Sequence, residues 1–135
     1  MTISGGCLCG RVRYQAEGEP LFGAICHCRS CQRASGAGGL PVMGVPKAGF
    51  AVSGEPKGYT QTGGSGQPAT RWFCPDCGGT VYGTGEAFAD LVMIYGGSLD
   101  TASLFTPQMM INTADRFGWD DGLSHLPAFA AMPPM

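Results

Sequence analysis

Seven cysteines in three short groups constrain this chain more than any other feature: Cys7-Leu8-Cys9, Cys26-His27-Cys28-Arg29-Ser30-Cys31 and Cys74-Pro75-Asp76-Cys77. None is isolated. Cysteines used only as small core residues have no reason to group in this way. An odd number cannot pair completely within one chain. A C-x-x-C followed by Gly78 suits a metal knuckle, because glycine accepts a positive φ and lets turning N–H groups point at the sulfurs. A C-x-C in extended backbone places both sulfurs on one face. Thiolate-rich tetrahedral sites favour zinc or iron–sulfur, and these spacings match neither common ferredoxin pattern, so zinc is expected.

A closed zinc site takes four protein ligands, and an open one takes about three. Seven divides into four and three. Cys7, Cys9, Cys74 and Cys77 are placed to close one site across more than sixty residues. Cys26, Cys28 and Cys31 then form a second site with a vacancy. A different division, in which another group lends a cysteine to the second set, satisfies the spacing equally well.

The bulk composition shows why such sites are needed. Leu, Ile, Val and Phe are 25 of 135 residues, and Gly plus Pro are 33. Both figures lie near the range of disordered chains, but a net charge of −2 does not. The expectation is a compact, turn-rich domain held by more than apolar burial. With two lysines and no basic stretch, nothing drives the chain toward nucleic acid or an anionic membrane. The start at Met1–Gly6 lacks the features of a signal peptide, and no apolar run is long enough to cross a bilayer. These features point to a soluble, cytoplasmic protein.

Short apolar segments between turn residues predict a mainly β fold. Arg11–Glu17 alternates, with Val12, Tyr14 and Ala16 on one face. Further strands are expected at Leu21–Cys28, Gly39–Val45, Phe50–Glu55, Lys57–Thr62, Ala69–Cys74, Thr80–Tyr82, Leu91–Tyr95 and Met109–Asn112, with a helical turn at Arg29–Ala34. Gly63–Gly66 suggests a mobile loop, and Ala114–Trp119 is ambiguous. One domain is expected over 1–130, with a frayed tail over 131–135.

The motifs resemble one family. Gly5-Gly6-Cys7-Leu8-Cys9-Gly10-Arg11-Val12-Arg13-Tyr14, the run Cys26–Gly36, and Arg71-Trp72-Phe73-Cys74-Pro75-Asp76-Cys77-Gly78-Gly79 are similar to the glutathione-dependent formaldehyde-activating enzymes, a family that includes centromere protein V-type domains. Gly96-Gly97-Ser98-Leu99-Asp100 and Leu126-Pro127 resemble its later segments. The resemblance implies two packed antiparallel sheets with zinc knuckles and few short helical turns. It implies two zinc ions per loaded chain: a structural one on Cys7, Cys9, Cys74 and Cys77, and a catalytic one on Cys26, Cys28 and Cys31. The activity it implies is the joining of formaldehyde to glutathione, formally a carbon–sulfur lyase in reverse, with a small thiol–aldehyde adduct such as S-hydroxymethylglutathione as substrate. After Pro107 this chain departs from the pattern: it has Gln108-Met109-Met110-Ile111 where many members carry His or Glu.

Arg29 and Arg33, four apart, are placed to hold a substrate carboxylate or to offset thiolate charge. His27, between two cysteines, is expected to face away from them and serve as a hydrogen-bonding residue. His125 reads as a surface residue and Arg71 as structural. Tyr59, Trp72, Tyr95 and Trp119 read as packing residues. The competing functional reading is a non-catalytic zinc module that binds a protein partner.

Overall fold

The computed structural model describes residues 1–134. Ten strands and one helix follow in order: β1 Thr2–Gly6, β2 Arg13–Glu17, β3 Phe22–Cys26, α1 Arg29–Ser35, β4 Leu40–Pro46, β5 Phe50–Ser53, β6 Lys57–Thr62, β7 Pro68–Phe73, β8 Thr80–Gly85, β9 Leu91–Tyr95 and β10 Met109–Ile111. They form a three-stranded sheet, β1-β2-β5, and a seven-stranded sheet, β10-β3-β4-β9-β8-β7-β6. The mainly β expectation holds. No helix among the described residues is long and apolar enough to cross a membrane.

The alternation in β2 fixes which face of the small sheet turns inward. Tyr14 and Ala16 are buried, as is Val12 just before the strand, while Gln15 is exposed. With Ile3 they pack on Met43 and Val45 of β4, Val92 and Ile94 of β9, and Val81 and Tyr82 of β8. Phe50 bridges the sheets, with its ring centroid 5.7 Å from that of Tyr14 and 4.9 Å from that of Tyr82.

Sequence patterning did not reveal β1, because one of its inward positions is a glycine. Ile3 and Gly5 both face the core. A Cβ on Gly5 would lie 2.2 Å from the Ser98 carbonyl oxygen and 2.3 Å from the Tyr14 hydroxyl oxygen. The side-chain space at that position belongs to Tyr14, whose hydroxyl bonds to Ser98 Oγ at 2.9 Å.

Strand ends differ from the sequence expectations for local reasons. β3 stops at Cys26, since Cys28 is already the N-cap of α1, its Sγ accepting the Cys31 N–H. The helix runs seven residues and ends at Gly36, which takes the left-handed conformation and gives its N–H to Gln32 O. Gly63–Gly66 forms the hairpin turn between β6 and β7, with the Gly63 N–H on Gln67 O at 2.8 Å. Ala114–Trp119 lies across two single 3-10 turns. One pairing corrects the expectation of purely antiparallel sheets: β10 runs parallel to β3. β9 already points in that direction, and residues 96–108 return the chain to the starting end, the length a parallel crossover needs. Residues 131–134 are exposed and have no regular structure, and Met135 lies outside the described residues.

Two outcomes test this packing. Gly5→Ala, which meets backbone as well as a ring, should cost about 1–3 kcal/mol in denaturant unfolding; an unchanged midpoint would place Tyr14 elsewhere. Burial pushes the Tyr14 hydroxyl up to about 12, against the Ser98 hydrogen bond. A raised folded-state pKa contributes stability that is whole below pH 10 and lost as pH rises toward 12. Tyr14→Phe should therefore flatten the alkaline fall in stability by on the order of 2 kcal/mol, while losing about 1 kcal/mol at neutral pH.

Candidate functional site

Two hairpin tips meet to form the first cluster. In the β1–β2 connection the Cys7 N–H bonds Val12 O, and Gly10, at φ 82°, turns its N–H back to Cys7 O. In the β7–β8 connection the Gly78 N–H bonds Cys74 O, again with a positive φ of 74°. The sulfurs of Cys7, Cys9, Cys74 and Cys77 all lie within 4.8 Å of one another. Cys7 to Cys9 is 3.7 Å, and Cys9 to Cys74 is 3.8 Å. Ligands about 2.3 Å from a tetrahedral zinc stand roughly 3.8 Å apart. These distances are far too long for a disulfide. Backbone N–H groups of Val12 and Gly79 point at the sulfurs of Cys7 and Cys77. Arg11 joins Asp76 across the tips at 3.3 Å.

The thiols of this cluster share their protons unequally. Burial opposes charge on Cys7, but the Val12 N–H and the neighbouring thiols bring it down to about 6. Cys9 accepts an Arg11 N–H, but burial and its bonds to the other sulfurs push it up to about 11. N–H groups of Cys9 and Gly79 hold Cys77 below the usual thiol range. Cys7 and Cys77 are drawn toward the thiolate form, while Cys9 is drawn toward the protonated form that a divalent cation would displace. The donor set fits zinc.

The second cluster lies at the end of β3. The sulfurs of Cys26, Cys28 and Cys31 lie within 4.8 Å of one another, and among the described residues no fourth Cys, His, Asp or Glu joins them. Each sulfur has an N–H donor. Cys28 accepts the Cys31 N–H at 3.3 Å, Cys26 accepts Asn112 Nδ2–H at 3.3 Å, and Cys31 accepts Arg71 Nη2–H at 3.6 Å. The Cys31 thiol outweighs burial and, with the Cys28 N–H and Asn112, brings Cys26 down to about 5. By donating to Cys26 and being buried, Cys31 is pushed up. Three thiols with no fourth protein ligand fit a zinc that keeps an open position.

The model of the family "Glutathione-dependent formaldehyde-activating enzyme" matches residues 2–115. The chain belongs to this family. Among solved structures, a Rhodobacter sphaeroides protein superposes with a TM-score of 0.59 at 19% identity, covering 79% of this chain and 98% of that one. At that identity the likeness concerns the fold alone. No curated protein matches the chain. In this member of the formaldehyde-activating family, the division of cysteines left open by spacing is four and three, in the sets the resemblance implied.

Arg29 is exposed; its guanidinium stands 5.0 Å from the Phe117 ring centroid and donates to Gln32 Oε1. Arg33 is also exposed. The guanidinium that touches a cluster sulfur is that of Arg71, which read as structural. His27 is buried beneath the 36–39 turn, with Nδ1 3.0 Å from Gly38 O. Gln32 donates to His27 O and Asp115 O and so fastens the C-terminal segment over α1. In the departing segment, Gln108 is engaged by β3: its Oε1 accepts the Gly23 N–H. Tyr95 and Trp72 are buried or half-buried, as expected for packing residues, whereas Tyr59 and Trp119 are exposed. Asn112 was missed. Its signal is an asparagine directly after a strand, here in the left-handed conformation at φ 57°.

Graded chelation of the zinc-loaded protein should proceed in two steps. The three-cysteine cluster should release one equivalent with the far-ultraviolet circular dichroism intact, and the four-cysteine cluster should follow with unfolding. A single concerted step would contradict two distinct sites.

Proposed function

We propose that this protein is a zinc-dependent enzyme of the carbon–sulfur lyase type, acting on a small thiol–aldehyde adduct such as S-hydroxymethylglutathione. The observation that carries this reading is the three-thiol cluster: it has a donor on every sulfur and no fourth protein ligand, in a member of a formaldehyde-activating family. A closed four-ligand set would have favoured the protein-binding module instead.

Cys26, Cys28 and Cys31 would hold the second of two zinc ions. Such an ion supplies a Lewis-acid position and a place where a substrate sulfur stays ionised. In the synthetic direction the thiol sulfur bonds the aldehyde carbon, and the thiol proton ends on the former carbonyl oxygen; the lyase direction reverses both. The chain's own groups set the stage. Asn112 and Arg71 orient two of the sulfurs from outside the cysteine segment, and the start of α1 orients the third. Burial holds the Tyr95 hydroxyl above its ordinary range, against the influence of the adjoining Arg71, so it stays protonated at neutral pH beside Arg71 and Cys31. Arg29 and Arg33 lie on the exposed side of α1, where a substrate carboxylate has access.

Cys28→Ala should lower turnover of S-hydroxymethylglutathione by about 100-fold or more, while the four-cysteine zinc and the fold remain. Full turnover in a Cys28→Ala chain would contradict the reading.

A further inference from the structure

Arg71 is a charged residue without an acidic partner. It sits in the middle of β7, cross-strand from Tyr59 and Gly83, and is half-buried. Among the described residues the salt bridges are Arg11–Asp76, Arg13–Asp100 and Arg116–Asp121, and none includes it. Half-burying a guanidinium without a counter-charge is unfavourable. The groups it meets are the Cys31 sulfur and the Tyr95 hydroxyl. Gly83 makes the second contact possible: a Cβ there would come within 2.7 Å of the Tyr95 hydroxyl oxygen. Two strands are thus shaped to bring one cation to one sulfur.

Three thiolates and a divalent cation sum to one negative charge. That excess repels an incoming thiolate and weakens the set through mutual repulsion of its sulfurs. Arg71 supplies one positive charge at hydrogen-bonding distance from one of them.

Resting on the reading above, that the three-cysteine cluster holds zinc, we propose that Arg71 is the charge-compensating positioning residue of that cluster. It neutralises the excess charge of the thiolates, orients Cys31, and sets both how tightly the cluster keeps a divalent metal and how readily an anionic thiol enters beside it. The arginines near the cysteines in sequence, Arg29 and Arg33, do not carry this role.

The test titrates the full-length chain with cobalt(II) alone and then competes the bound metal with zinc. Wild type should take up two equivalents. Arg71→Gln, which keeps a neutral donor, should lose about 10- to 100-fold in affinity for the second equivalent and shift its sulfur-to-cobalt charge-transfer band. The first equivalent, in the four-cysteine cluster, should bind as before. Arg71→Lys restores the charge without the planar fork, so it should recover most of the affinity but keep a shifted band. Should Arg71→Gln not fold, the lysine band still decides, since a residue that only packs would leave it unmoved. Wild-type affinity and an unshifted band in the folded variants, or equal loss at both clusters, would overturn the inference. A wild type that takes up one equivalent only overturns the proposed metal site itself, and this inference with it, which separates the two failures.

Discussion

Four sulfurs drawn together from the tips of two hairpins are the contact on which the rest of this molecule depends. The β1–β2 tip belongs to the small sheet and the β7–β8 tip to the large one. Between the sheets lies a layer of valine, isoleucine, alanine and methionine with Tyr14 and Tyr82, and the partly buried Phe50, Trp72 and Phe105 pack against it. The chain as a whole is short of large aliphatic and phenyl side chains: Leu, Ile, Val and Phe are 25 of 135 residues. A cation that binds four thiolates in the folded chain and has no such site in the unfolded one adds its binding free energy to folding. The cross-link also spans more than sixty residues, where loop closure is most costly in the unbound chain. On the proposed reading, a zinc ion here would do at one end of the sandwich what further apolar burial would do throughout.

With that end fixed, the large sheet becomes a platform for the second cluster. β3 delivers Cys26 at its end, the first turn of α1 delivers Cys28 and Cys31, and the crossover after β9 lays β10 beside β3 so that Asn112 reaches Cys26. Arg71 arrives from the other side of the sheet's strand order. The cluster's ligands and their donors thus sit on regular elements or directly at their ends, which would suit a site whose ligands hold their positions with one corner left open. On the proposed reading the two clusters divide the labour: one would close the fold, and the other would keep a position open.

The sequence spoke most clearly where contacts are local. The knuckle at Cys74–Gly78, the helical turn after Cys28 and the inward face of β2 follow from spacings of a few residues, whereas the two cysteine sets came from the family resemblance, spacing having left their division open. β1 was hidden because its inward Gly5 yields its space to Tyr14, so the strand lacks the alternation of large side chains that would announce it. The parallel register of β10 depends on the direction of a long crossover, which no short pattern encodes. Arg71 and Asn112 are 40 and 86 residues from the cysteines they touch. Arg29, adjacent to the cysteines in sequence, stands with its guanidinium 5.0 Å from the Phe117 ring centroid rather than on a cluster sulfur. The sheet register that puts Arg71 at Cys31 becomes visible only once seven strands are in order.

On the proposed reading one cluster holds a closed zinc site and the other an open one. Zinc K-edge X-ray absorption on the fully loaded protein reads it directly. The loaded protein should show two zinc ions per chain, with an average of about 3.5 sulfurs each and a lighter atom as the fourth ligand of the second ion. Two zinc ions with four sulfurs each, or a single zinc per chain at saturation, would contradict it.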